Sequence, residues 1–259
     1  MTENSNPENP DRQEKNLSET PIPKITIICS APDLASQNIK TQLLNLIEWK
    51  LLELPENSGF SAARESQDGK FRLVDIEETH VFQDGLDRKL ENAGLPASLI
   101  IFASKHRSKE EISSLTVHCT GNPSDDVRLG GCPKSLAVSS PAAMKSILSE
   151  MKRLAEQKGL KYDVTLEVTH HGPTELSVPS LYAEIGSTEV QWNDPEAGEV
   201  AAKAILAVSL EKVPVAIGFG GGHYAMRQTK LLFETKISFG HNFPKYKLEF
   251  VMKPDQASN

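Results

Sequence analysis

The seven histidines of this 259-residue chain are where chemistry concentrates. Four follow short apolar runs and so fall at strand exits: His106 in ASKHRS, His118 in HCTGN, His170 in EVTHHGP and His223 in GFGGGHY, with His171 beside His170. Neutral imidazole is a common zinc ligand, and a carboxylate can complete a mixed nitrogen and oxygen shell. Successive side chains on a strand face opposite ways, so His170 and His171 share a target only where the strand breaks. Gly172-Pro173 supplies that break, and Glu167, Glu175, Glu184 and Glu189 are within loop reach. The spacing is not HExxH, and one histidine bonded to backbone with the other in solvent fits it too.

Gly218, Gly220, Gly221 and Gly222 follow the run VPVAI, where a chain turns sharply or approaches a ligand closely. Exposed amides there suit an anion, and a tight turn accounts for them equally. No Gly-Lys-Ser/Thr follows, which excludes a phosphate-binding P-loop. Lys105 and Arg107 flank His106 and can meet phosphate or a carboxylate, although solvation is the commoner role. Cys119 beside His118 has the parts of a thiol nucleophile and its base, but neighbours on a strand face apart.

These loops need strands and helices to hold them. ITIIC (25–29), FRLVDIEE from Phe71, SLIIFAS from Ser98, Leu115 to Cys119, Tyr162 to Val168, Leu181 to Ile185 and Val213 to Phe219 read as strands. Leu34 to Ile47, GLDRKLENAG ended by Gly94, Pro141 to Gly159 and Pro195 to Leu210 read as helices. Their alternation predicts an α/β fold with a mixed sheet flanked by helices. Residues 1–23 hold few aliphatic side chains and are expected to be a disordered polar tail, with 24–252 one catalytic domain and 253–259 a second tail.

No basic start with an apolar run marks a signal peptide, and nowhere do about 18 apolar residues run together, so a cytoplasmic protein without a membrane partner is expected. Cys29, Cys119 and Cys132 match no zinc knuckle or disulfide framework and are expected as reduced thiols. A net charge of -7 argues against coating nucleic acid electrostatically. The segment from Met226 to Lys247 is locally basic through Arg227, Lys230, Lys236, Lys245 and Lys247, most simply a solvated face.

In order, HCTGN, GGCPKSLAV, EVTHHGP, EIGSTEVQW and GFGGGHYA resemble the archaeal and plant class of D-aminoacyl-tRNA deacylase, and the likeness runs from about Lys24 to about Met252. The resemblance implies a phosphorylase- and peptidyl-tRNA hydrolase-like fold, two zinc ions per subunit, and hydrolysis of the ester between a D-amino acid and tRNA. His106, His170, His171 and His223 are then the expected metal ligands, and Glu167, Glu184 and His118 the expected catalytic residues, with either glutamate able to serve as ligand or general base. Thr120, Gly121, Asn122, Gly220, Gly221, Gly222, Lys105 and Arg107 are expected to meet substrate, and Lys230, Lys236, Lys245 and Lys247 to steer tRNA. Met226 stands where the family pattern has Pro. A monomer acting on D-aminoacyl-tRNA, with no DNA partner, is the expectation. A metal-dependent amidohydrolase or peptidase and a non-catalytic tRNA-binding protein are the rival readings.

Overall fold

The computed structural model describes residues 24–252; the two expected tails, 1–23 and 253–259, lie outside the described residues. The first half contains β1 (Lys24–Ser30), α1 (Leu34–Leu46), β2 (Trp49–Leu51), β3 (Ala62–Ser66), β4 (Phe71–Ile76), α2 (Leu86–Asn92), β5 (Ala97–Arg107), β6 (Ser114–His118), β7 (Gly121–Asn122) and β8 (Ser135–Leu136). The second contains α3 (Pro141–Lys158), β9 (Asp163–Leu166), β10 (Ser180–Ser187), α4 (Glu189–Trp192), α5 (Pro195–Leu206), β11 (Val215–Phe219), α6 (Met226–Glu234), β12 (Ser238–Phe243) and α7 (Leu248–Met252).

Eight strands form one mixed sheet in the order β2-β3-β4-β1-β5-β10-β6-β9. β1 lies parallel to β4 and β5, β10 parallel to β5, and β6 antiparallel to β10. The central strands are near-continuous apolar runs because both their faces are covered. On one face α1, α3 and α5 pack Ile39, Leu43, Met144, Ile147, Leu148, Met151, Val200 and Ile205 against Ile27, Leu99, Ile101, Leu115, Val117, Leu181 and Ala183. On the other, Leu86 and Leu90 of α2 meet Ile28, Val74, Ile100, Phe102 and Tyr182. The α/β class with a mixed sheet between helices is therefore the one expected. Among the described residues no helix is long and apolar enough to cross a membrane.

Local signals set the helix ends. Asp33 and Asp194 accept the amides of Ser36 and Glu196 as N-caps of α1 and α5. Pro141 opens α3, and Gly159 closes it at φ 68°. Met226 occupies the first turn of α6, where Pro is also tolerated, so its departure from the family pattern leaves the helix start intact. α5 stops at Leu206 rather than Leu210.

The elements β2, β3, β7, β8, α4, α6, β12 and α7 were not expected. β12 pairs in parallel with β11 outside the main sheet. Lys145 of α3 ties α6 to the body, donating to the carbonyls of Leu232, Thr235 (2.8 Å) and Ile237 (3.2 Å). Lys145→Met is expected to lower stability by about 1–2 kcal/mol through loss of these charge-assisted bonds. Urea unfolding measures it, and an unchanged midpoint would show that water replaces them without loss.

Candidate active site

Strand periodicity explains how the chemistry gathers. Odd-numbered residues Leu99, Ile101 and Ala103 of β5, Leu115 and Val117 of β6, and Leu181, Ala183 and Ile185 of β10 point into the three-helix core. Their even-numbered neighbours take the other face, which carries Phe102, Ser104 and His106 on β5, His118 on β6, and Tyr182 and Glu184 on β10. Register aligns them: His118 opposes Tyr182, and Glu184 lies between Ser104 and Thr116. Gly186 opposes His106, and a Cβ there would come within 2.9 Å of the imidazole, so the missing side chain makes room for the ring. His106 thus sits inside β5, which extends to Arg107 beside β10, and not in the loop expected of ASKHRS.

Glu167 follows β9 and is fully buried. Its Oε2 meets His223 Nε2 at 2.8 Å and lies 3.6 Å from His170 Nε2, while its Oε1 is 3.1 Å from His106 Nδ1. Glu184 Oε2 lies 3.4 Å from His118 Nε2 and 3.9 Å from His106 Nδ1. His171 adopts φ 45°, a left-handed turn that undoes the strand alternation and brings its ring centroid within 4.3 Å of that of His170. Each of the two rings is aimed by its Nδ1, to the carbonyl of Val168 for His170 (2.8 Å) and of Gly172 for His171 (2.7 Å). His118 stacks on Tyr182 at 5.1 Å and lies 4.4 Å from His170. All five histidines singled out in the sequence therefore meet, with both glutamates.

The ligating atoms fall into three sets, His118/His170/His171, His106/Glu167/His223 and His118/Glu167/Glu184, with the atoms of each set within 4.8 Å of one another. His118 Nε2 and Glu167 Oε1 are buried and make no hydrogen bond, although donors and acceptors crowd them. Lone pairs converging without a shared proton are what a bound cation satisfies. Burial and then the neighbouring imidazoles hold His170 well below the ordinary histidine range, and burial and His118 push His171 down to about 3. Both are neutral bases, the form that ligates metal. Burial alone would lower His106 and His118, but Glu167 beside one and Glu184 beside the other outweigh it and hold both above the usual value. Burial would likewise raise Glu167, yet His106 and His223 take it well below, whereas burial keeps Glu184 raised.

The cluster forms the wall of a cleft of about 460 Å³ that also includes Lys105 and Arg107, and His170 and His171 separate it from a second cavity of about 350 Å³ lined by Gly121 and Asn122. Several expected substrate contacts have scaffold duties. Thr120 Oγ1 donates to Pro173 O at 2.6 Å, and Asn122 Nδ2 donates to the carbonyls of Gly130 and Cys132. Gly220 gives its amide to Phe243 O and Gly221 its carbonyl to Lys245 N, so they build a turn, while Gly222 borders an outer cavity with His223. Lys105 lays its ammonium over Trp192 at 5.4 Å. Lys247 donates to Ser124 and Lys230 lies 3.9 Å from Glu234. Glu175 and Glu189 are exposed outside the cluster. Cys119 is buried, with its thiol pushed up to about 12 by burial, and is no nucleophile.

Sequence reasoning missed Asp33, His80, Tyr182 and Tyr224. Tyr224 donates or accepts at His106 Nε2 (3.0 Å). Asp33 lies just past the exit of β1, where the strand-exit rule points; Tyr182 hides in an apolar run, and His80 carries no local signal. His80 is buried and its pKa is pushed down to about 4 by burial, so it stays neutral when folded. The unfolded chain then protonates first, and stability present above pH 6.5 is lost as pH falls toward 4, by up to about 3 kcal/mol. Urea midpoints of wild type and His80→Gln across this range check it: parallel pH curves would remove His80 as the source.

The profile of the D-aminoacyl-tRNA deacylase family matches residues 93–257. A D-aminoacyl-tRNA deacylase of Methanosarcina barkeri (strain Fusaro) is 96% identical over 251 residues, covering 97% of this chain and 82% of that protein. Another from Archaeoglobus fulgidus is 40% identical over 226 residues, covering 86% of this chain and 78% of that one. The crystal structure of a conserved protein of unknown function superimposes with a TM-score of 0.81 at 39% identity, covering 88% of this chain and 79% of the other. The chain belongs to the D-aminoacyl-tRNA deacylase family.

Proposed function

We propose that this protein hydrolyses the ester bond between a D-amino acid and the terminal ribose of tRNA, with zinc held in its histidine cluster. The observation that carries the reading is the convergence of five histidines and two buried carboxylates, with His118 Nε2 and Glu167 Oε1 left unbonded, in a chain of this family. The donor set is all nitrogen and carboxylate oxygen, which suits zinc. His118, His170 and His171 would hold one ion, and His106, Glu167 and His223 a second. Bound zinc lowers the pKa of water towards about 7 and polarises a carbonyl.

The chain's own groups divide the remaining work. Glu167 stays ionised, orients His223 through its hydrogen bond and lies against His106. Glu184, raised by burial, is the carboxyl suited to take a proton from the attacking water and return it to the departing ribose oxygen. The splitting of two neighbouring carboxyls supports that assignment. Tyr182 and Phe102 stack at 4.7 Å and, with the buried rings around them, hold the floor rigid.

Release of D-tyrosine and L-tyrosine from their charged tRNAs, before and after chelation and zinc restoration, tests the proposal. Selective D-tyrosine release that zinc restores is the expected result. Release of neither, with turnover of small acyl amides, would replace it with an amidohydrolase.

A further inference from the structure

The cleft does not end at the histidine cluster. Its far wall is made by Asp33 and His80, one strand exit away. Asp33 is buried, and its carboxylate is met only by neutral donors: Ser36 N on Oδ1 (2.9 Å), and Ser104 Oγ (3.3 Å) and Lys105 N (3.1 Å) on Oδ2. Among the described residues no lysine or arginine forms an ion pair with it. The one ion-pair-range contact it makes among the described residues is with His80, with Nδ1 3.9 Å away, and burial keeps that ring neutral. His80 Nε2 is itself buried and without a hydrogen-bond partner. Asp33 caps α1 with no cation facing it among the described residues, and the unused His80 Nε2 beside it lies in the same cleft, so a cationic ligand group with N–H donors would be met by both.

The spacing identifies the group. Ser104, bonded to Asp33, and His106, in the cluster, lie two residues apart on one strand face, about 7 Å. An α-amino ester whose carbonyl lies at the cluster has its ammonium two bonds from the carbonyl carbon, and contacts of about 3 Å at each end bridge that distance.

We propose that Asp33, with His80 beside it, is the subsite for the α-ammonium group of the aminoacyl ester and is a specificity-determining residue. The inference rests on the deacylase reading above. With carbonyl and ammonium both anchored, the two enantiomers differ only by exchange of hydrogen and side chain at Cα. Asp33 thereby fixes the rotation about the carbonyl–Cα bond, so that the surface meeting the side chain in D and the hydrogen in L can tell them apart.

The first test needs no variant. Inhibition of D-tyrosyl-tRNA hydrolysis by wild-type protein is compared for 3'-deoxy-3'-(D-tyrosylamino)adenosine and its counterpart lacking the α-amino group. Loss of a buried charge partner predicts an inhibition constant weaker by about 30-fold or more for the latter. Asp33→Asn, which keeps the shape and the acceptor for Ser36 N, should shrink that ratio towards one and reduce the preference for D- over L-tyrosyl-tRNA. Equal constants in active wild-type protein, or an unchanged ratio in folded Asp33→Asn, overturn the proposal and leave the deacylase reading standing. Absence of D-tyrosyl-tRNA hydrolysis by wild type sinks both.

Discussion

Replacing Glu167 by Gln is expected to lower kcat/KM for D-aminoacyl-tRNA on the order of a thousandfold and to lower bound zinc with it. Glu167 is the group on which three imidazoles converge: His223 at 2.8 Å, His106 at 3.1 Å and His170 at 3.6 Å. The amide keeps the shape but removes the charge and turns an N–H toward one of these rings, at a side chain with no solvent exposure. Glu184→Gln is the comparison. It stands 3.4 Å from His118 and 3.9 Å from His106 but leaves Glu167, His170, His171 and His223 in place, so most of the zinc should stay while turnover falls. Metal content by mass spectrometry and single-turnover deacylation separate the two roles, with circular dichroism confirming the fold. Full zinc and more than about a tenth of wild-type activity in Glu167→Gln would show that the carboxylate is neither ligand nor orienting group.

Most of the site was legible because strand exits are local features. An apolar run followed by a break places its next polar residue at the sheet's edge, and His118, His170 and His223 were found that way. His106 joins the cluster although the loop expected around it is strand, since β5 runs past it. That extension depends on β10 pairing alongside from Ser180 to Ser187, a contact about eighty residues away that no local pattern contains. β3 was missed because ARES is polar and only its pairing with β4 makes it a strand. Asp33 stands where the strand-exit rule points, but its meeting with His80 was illegible for the same reason: the two come together because β1 and β4 lie side by side, with His80 set in a turn after β4 that has no periodicity. Likewise Thr120 and Asn122 look like ligand contacts in HCTGN, and only the path of the 130–132 and 173 backbone shows that they hold loops.

Gly172→Ala is expected to cost about 3 kcal/mol or more, and activity should fall with it, because the methyl has no space to occupy. A Cβ at Gly172 would overlap the amide nitrogen of Gly131 and come within 2.5 Å of the carbonyl carbon of Gly130 and 2.6 Å of Val81 O, all backbone atoms. Those atoms are pinned: Asp84 accepts the amides of Gly131, Thr174 and Glu175, and Gly172 N donates to Leu129 O. Gly172 O in turn receives His171 Nδ1 at 2.7 Å and Tyr182 OH at 3.3 Å, so displacement of this one peptide misaims a cluster histidine and the ring beneath His118. Gly94→Ala serves as the control, since Gly94 sits at φ 74° with nothing within 4 Å of an added Cβ. It carries only the conformational penalty of the left-handed region, about 1 kcal/mol. Urea unfolding of both variants gives the comparison, and D-tyrosyl-tRNA turnover should drop only for Gly172→Ala. Equal costs at the two positions would mean that the 129–131 backbone yields, and that the aim of His171 is set elsewhere.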